Sequence, residues 1–478
     1  MAVTIAESKL KHQRVLINGK DYYHEKRPQK QLEGPPLVKL MLVLLGPLMT
    51  PLANGYVLGV LNVIFLCQQW KDEFQLLPGV SLNLLTTGAG FGGLAGFCLH
   101  NLKRGTWERQ DKSRLLIWGT WITLFGGCFQ SLCLGYWSFF LARFLCGLGT
   151  YISNTAASGL LSELSPPKYK EHVETAYSIL LPIGLLCGNS SDHTKPWRSL
   201  SAYQMVLPVL QLILICNSYI PSFKYLIYKG DVDNCRQLIE RFQTSSRTSV
   251  DEQMAGLKMA CTSNDYISPK ELVCSGSTQK YIITGFILPF VCIHFGNGII
   301  LNIVAEALEF TYGLNTPQQQ IVINLALLSY SLSAILIRKS SPSLSTHQHV
   351  LYSLLTTGLV TLSFVFTHGC LFVGTFSYDL TVFSISILAF TACAHITLIG
   401  LPTSYLSSWA PKHASTNLST IIGMSSNFAT LYNGFVNAWS MERYVWLEYS
   451  VTCLMGFIFL TLLTLFSATY KTRPLESL

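Results

Sequence analysis

Charge is what this chain has least of. Only 12% of its 478 residues are Asp, Glu, Lys or Arg, whereas soluble domains average about 25%. No acidic residue falls deep inside any of its first six apolar stretches, and intramembrane acids are rare and usually functional, so their absence counts against a proton carrier. No G-x-x-x-x-G-K-[ST] phosphate loop is present, which argues against an ATP-driven pump. Nothing resembles a nucleophile elbow or a metal-binding helix either. The 14 cysteines are dispersed without a CxxC pair or a His/Cys cluster, and they read as small packing residues rather than metal or redox ligands. No catalytic residue, metal site or cofactor is therefore expected. The first forty residues scatter charge and contain no short apolar core, so no cleaved signal peptide is expected and the first span itself would direct insertion.

Apolar length is what the chain has in abundance. Half of its residues are hydrophobic. They gather into about a dozen stretches, each near the ~20 residues that cover a ~30 Å hydrocarbon core. Six run from Leu37 to about Tyr219 and six from about Tyr281 to Ala468, around the polar insert Pro221–Lys280. The sequence thus predicts an all-α polytopic membrane protein with twelve transmembrane helices. A tail covers 1–36, a six-helix bundle 37–219, a linker with short helices 220–280, a second six-helix bundle 281–468, and a final tail 469–478. Breaks are expected near 66–78, 101–114, 135–136, 162–172 and 190–200 in the first half. Two groups of six around a hydrophilic loop is the layout of secondary transporters built from repeated halves.

Charge placement tests this layout independently. With both termini on one side, that side collects 28 of the 33 Lys and Arg residues, and the other side only Lys71, Lys195, Arg198 and Arg443. Arg143 lies inside a span. Cytoplasmic loops retain Lys and Arg, so the termini and the insert are expected in the cytoplasm. The net charge of +8 then reflects topology and contact with the lipid bilayer, not nucleic-acid binding. Within the insert, Leu226 to Phe242 suits short amphipathic helices.

Several short motifs follow one another in a specific order. Gly55-Tyr56-Val-Leu-Gly59-Val opens the set, and Arg143-Phe-Leu-Cys-Gly147-Leu-Gly149 precedes Glu163-Leu-Ser-Pro166 and Lys170. Gly184-Leu-Leu, Trp197-Arg198, and Ser222-Phe-Lys224-Tyr225-Leu226 before Lys229-Gly230-Asp231 continue it, and Lys471 with Leu475-Glu476 ends it. In order and spacing this series resembles the sugar porter family of the major facilitator superfamily, and in particular the animal facilitative glucose transporters. The resemblance implies the major facilitator fold and alternating access to a solute site near the midplane. It also implies a cytosolic charge cluster, here Arg104, Arg143, Glu163 and Lys170, that gates the rocking of the halves. Independently of any family, Gly147/Gly149 and Gly88/Gly92/Gly96 should let helix backbones approach closely.

The chain also departs from that pattern. His100 stands where the loop after the second span has Asp, Ser408 replaces a Glu, and Val57 replaces the first-span Asp of proton-driven relatives. The last change favours uniport. Positions matching the family's solute contacts hold Ser178, His294, Asn297, Asn302, Thr403 and Asn427. These side chains still suit a small polar, sugar-like solute because hydroxyls both donate and accept hydrogen bonds. The family's glutamines and stacking tryptophan are absent. Two alternatives therefore stay open: a carrier of another small organic solute, and a transport-inactive receptor of the same fold. Asn189-Ser-Ser191 is an acceptor sequon in a predicted outward loop, so Asn189 is expected to carry a glycan. The plasma membrane is the expected location.

Overall fold

Inside a bilayer the backbone must satisfy its own polar groups, and helices do so within each segment. The computed structural model describes residues 12–17, 20–25 and most of 37–262, apart from 75–79, 103–106, 108, 167–168, 193 and 243–249; of the second half it describes 285–287, 290, 318–329 and 415–432. Five long helices and one broken one form the first half: α1 Leu37–Leu66, α3 Val80–Leu102, α4 Lys112–Leu132, α5 Tyr136–Leu164, α6 Lys170–Asn189, and the pair α7 Trp197–Tyr203 and α8 Val206–Asn217. A six-residue helix, α2 Gln68–Glu73, lies between the first two. Helix ends fall within or next to the polar interruptions of the sequence. Three segments, Leu40–Phe65, Lys112–Leu132 and Trp197–Asn217, are long and apolar enough to cross a membrane by composition alone. The other three, α3, α5 and α6, are rich in glycine and small polar residues or begin with charges, as suits helices that face other helices.

One element stands outside the helical pattern. Strands β1 His12–Ile17 and β2 Lys20–Glu25 pair antiparallel with Ile17 opposite Lys20. The two intervening residues are Asn18 and Gly19, the dipeptide most favoured in two-residue hairpin loops.

Glycine seams set the packing. The α1 pair Gly55 and Gly59 faces the α6 pair Gly184 and Gly188. A β-carbon on Gly55 would stand 2.0 Å from the Leu181 carbonyl oxygen, and one on Gly184 would stand 2.1 Å from that of Leu52. The α3–α5 seam is as close: a β-carbon on Gly147 would lie 1.8 Å from the Ala89 oxygen. Without a hydrophobic driving force between helices in lipid, such backbone contact is how they associate.

Each end of the bundle has its own apolar core. At the end that carries the insert, Leu40, Leu116, Leu160, Leu164 and Ile215 pack with Phe223, Cys235, Ile239 and Phe242. The last four belong to α9 Phe223–Lys229 and α10 Val232–Phe242, and α11 Val250–Thr262 adds Met254. Gly230, at φ 83°, closes α9 in the left-handed conformation that glycine adopts freely. At the opposite end Trp70, Phe74, Phe139 and Trp197 form an aromatic group with centroids 5.4–6.0 Å apart.

The second half meets the first on α3 and α6. Helix α12, Ser415–Tyr432, runs antiparallel along α3: Leu431 lies over Gly90, Asn427 over Gly93, and Gly423 against Phe97. Asn324 meets the end of α6. The other side, α4 and α8, exposes Trp118, Trp121, Phe125 and Leu132 together with Val206, Val209, Leu210 and Ile213. An apolar face of this extent is what acyl chains cover.

Candidate functional site

At the insert end two carboxylates organise the structure. Asp111 caps α4: its Oδ1 accepts from the backbone amides of Ser113 at 3.1 Å and Ser222 at 3.0 Å, and its Oδ2 accepts from the Tyr219 hydroxyl. Burial and that carboxylate raise the Tyr219 phenol above its ordinary pKa, which keeps it a donor. Glu163, at the last turn of α5, accepts from Lys112 Nζ at 2.6 Å and from Ser222 Oγ at 2.5 Å. Helices α4 and α5 and the start of the insert are thereby joined.

The expected charge cluster needs correction. Arg143 and Glu163 lie on one unbroken helix, and twenty residues at ~1.5 Å each separate them by ~30 Å. The cation beside Glu163 is Lys112. Lys170 is exposed and makes no ion pair among the described residues, and Arg104 lies outside them. Arg143 is instead 1% exposed, packed against Gly88 of α3, and its Nε and Nη1 have no partner among the described residues. His100, at the family's Asp position, is half-buried and stacks on Trp107 with centroids 5.4 Å apart.

Two of the six predicted solute contacts fall on described residues. The Ser178 hydroxyl turns back on its own helix, 2.9 Å from Thr175 O and 3.3 Å from Glu174 O. Asn427 donates to Gly423 O of its own helix at 2.8 Å and stands half-buried in the α3–α12 seam. No contact joins these two among the described residues. His294, Asn297, Asn302 and Thr403 lie outside them.

The interior holds polar groups that matching to family positions passes over. Asn154 of α5 accepts at Oδ1 from Asn54 Nδ2 of α1 at 2.8 Å and from the Tyr177 hydroxyl of α6 at 3.2 Å. Gln211 of α8 donates to Thr50 Oγ1 of α1 at 2.8 Å, and Gln130 of α4 to Ser201 Oγ of α7 at 3.2 Å. A signal for Asn154 is present in the sequence: Arg143, Gly147, Thr150 and Asn154 recur at i, i+4, i+7 and i+11, which is one helix face. Asn189 also departs from expectation. It is the last residue of α6, 1% exposed, and donates to Asn324 Oδ1 at 3.0 Å, while Asn324 donates to Ser190 Oγ at 3.2 Å. The folded protein therefore has no free Asn189 amide for a glycan.

Interhelical amides inside, glycine seams between backbones and an apolar outer face are those of an integral, multi-pass membrane protein. The chain belongs to the sugar (and other) transporter family, whose family model matches residues 43–478. Its fold is the major facilitator fold. It is similar to the proton:xylose symporter XylE bound to 6-bromo-6-deoxy-D-glucose, with 14% identity, a TM-score of 0.70, and coverage of 90% of this chain and 96% of that one. An inward-open XylE from E. coli matches with a TM-score of 0.67 at 15% identity, over 88% of this chain and 95% of that one. The human organic anion transporter MFSD10 matches with a TM-score of 0.59 at 13% identity, over 89% and 100%. By sequence, Myo-inositol transporter 1 of Candida albicans is 21% identical over 234 residues, 47% of this chain and 41% of that protein. The chain thus matches less than half the length of that relative. The family is one of membrane transporters, not enzymes.

Proposed function

We infer that the protein is a uniporter for a sugar or related polyol, its two halves rocking about an interior site. Family membership supports the sugar-type solute. One observation carries the uniport reading: among the described spans, carboxylates occur only near helix ends, as with Glu163 at the last turn of α5 and Glu174 near the start of α6. Val57 in α1 is buried and apolar. A carboxylate titrating within the pathway is a common proton carrier in coupled transporters. In this reading the divisions at 37–219, 220–280 and 281–468 are the two bundles and the linker, the termini and insert are cytoplasmic, and the plasma membrane holds the protein. The second half contributes His294, Asn297, Asn302, Thr403 and Asn427 toward the solute, and Ser178 contributes only the acceptor side of its hydroxyl.

Proteoliposomes loaded with the full chain and offered labelled hexoses, pentoses and myo-inositol test this. Uniport predicts saturable uptake that stops at equal concentrations and does not respond to an imposed pH gradient. Accumulation driven by that gradient would overturn it. A second reading, an acidic organic solute, is favoured by Arg143, whose buried guanidinium has no carboxylate beside it among the described residues. Uptake of labelled organic anions without uptake of any neutral polyol would select it.

A further inference from the structure

Three side chains from three helices meet at one oxygen. Asn154 Oδ1 takes both Asn54 Nδ2 and the Tyr177 hydroxyl, and Tyr177 also reaches the Asn154 carbonyl at 3.4 Å. An amide whose oxygen is held by two donors must turn its NH2 the other way. Asn54, having spent its own NH2 on Asn154, likewise turns its oxygen away. Among the described residues neither Asn154 Nδ2 nor Asn54 Oδ1 has a hydrogen-bond partner. The cluster therefore leaves one donor, Asn154 Nδ2, and one acceptor, Asn54 Oδ1, each oriented by the bonds its amide already makes.

Its position suits a solute. Asn154 is ten residues from the end of α5 and Tyr177 seven from the start of α6, so the group sits ~10–15 Å inside the insert end of the bundle. Asn54 is 5% exposed, while Asn154 and Tyr177 are half-buried. The second half lies against α3 and α6, on the side away from the lipid-facing α4 and α8. Ser178, one residue along from Tyr177, turns its hydroxyl back to its own helix.

We propose that Asn54 and Asn154, braced by Tyr177, form the first half's hydroxyl-binding edge for a polyhydroxylated solute. Asn154 Nδ2 donates to a solute oxygen, and Asn54 Oδ1 accepts from a hydroxyl of the same solute. This rests on the sugar-type transport reading and gives it a specific pair of contacts.

The test is solute-induced thermal stabilisation of the full chain in lipid nanodiscs, with myo-inositol, D-glucose and D-xylose as probes and their monodeoxy analogues beside them. Asn154→Asp keeps the oxygen that Asn54 and Tyr177 need but replaces the donor with an acceptor. It should weaken the best polyol by about tenfold, the equivalent of ~1.4 kcal/mol. It should also abolish discrimination against one deoxy analogue. Tyr177→Phe, which removes a brace and no solute contact, should lower the ligand-free melting temperature and weaken the best polyol less than Asn154→Asp does. If Asn154→Asp fails to fold, the analogue series on Asn54→Leu replaces it, with the same loss of discrimination expected. Equal polyol affinity and equal discrimination in a folded Asn154→Asp or Asn54→Leu protein would leave the amides as interhelical ties and overturn the proposal alone. Absence of stabilisation by every polyol in the unmodified protein would overturn the transport reading with it.

Discussion

The two ends of the first half are held by different chemistry. At the insert end, buried Asp111 and Glu163 collect donors from α4, from the segment after α8 and from Lys112. All these partners belong to the first half and its insert. At the opposite end the aromatic group of Trp70, Phe74, Phe139 and Trp197 excludes water, one surface ion pair joins Glu73 to Arg198, and the amide pair Asn189–Asn324 crosses to the second half. The difference bears on how the molecule can move. Buried, multiply bonded carboxylates make the insert and the first bundle one rigid unit. The neutral contacts of Asn324 with Asn189 and Ser190 are a tie that rocking can break and remake at little cost.

The largest effect expected from this contrast is at Glu163. Glu163→Ala leaves the Lys112 ammonium, 20% exposed, and the buried Ser222 hydroxyl without their acceptor. Removing one partner of a buried pair costs roughly 3–5 kcal/mol. The residual exposure of Lys112 puts the expected loss near the lower bound, measured by thermal unfolding in detergent. Glu163→Ala combined with Lys112→Met should recover part of that loss, since the orphaned charge is gone. If the single variant melts as the unmodified protein does, the insert end is not the rigid one.

A smaller effect is expected at the opposite end. Asn189→Ala removes one neutral hydrogen bond across the halves, worth about 1 kcal/mol. Because the same amide is buried, digestion with a glycosidase should leave the electrophoretic mobility of the expressed protein unchanged. A mobility shift would mean that Asn189 is modified and that its contact with Asn324 forms in only part of the population.

Much of the helical layout was legible because apolar length and interrupting charge are properties of sequence. Gly92 and Gly147 could be picked out as close-packing positions for the same reason: in lipid, small residues at helical spacing have few other uses. What spacing does not carry is depth and orientation. Arg143 and Glu163 belong to one motif, and motif proximity was read as spatial proximity, although twenty residues of unbroken helix hold them apart. Ser178 occupies a family solute position, yet its hydroxyl turns to its own helix while Tyr177 beside it points to Asn154. Asn189 was assigned to the loop with Ser190 and Ser191, but it is the last residue of α6, just before the interruption at 190–200. The paired strands His12–Ile17 and Lys20–Glu25 have their signal in the Asn18-Gly19 dipeptide between them, a turn cue that apolar length and charge placement do not carry.

The smallest effect expected is at the surface pair of the opposite end, and its pH dependence has a definite sign. Glu73 accepts from Arg198 and from Trp197 Nε1, and hydrogen bonding to Arg198 is the main cause that holds its carboxyl below the usual carboxylate range. A carboxylate depressed in the folded state adds stability above its unfolded pKa and loses it as pH falls through the folded value. With about a third of each side chain exposed, solvent screening limits the contribution to roughly 0–1 kcal/mol. The melting temperature of the unmodified protein should therefore exceed that of Glu73→Gln slightly at neutral pH, and the difference should vanish on acidification below pH ~4. It should also shrink in high salt, whereas the Glu163→Ala difference, arising from a buried pair, should not. A salt-sensitive Glu163 and a salt-insensitive Glu73 would reverse the assignment of the two ends, and with it the inference that the insert travels with the first bundle.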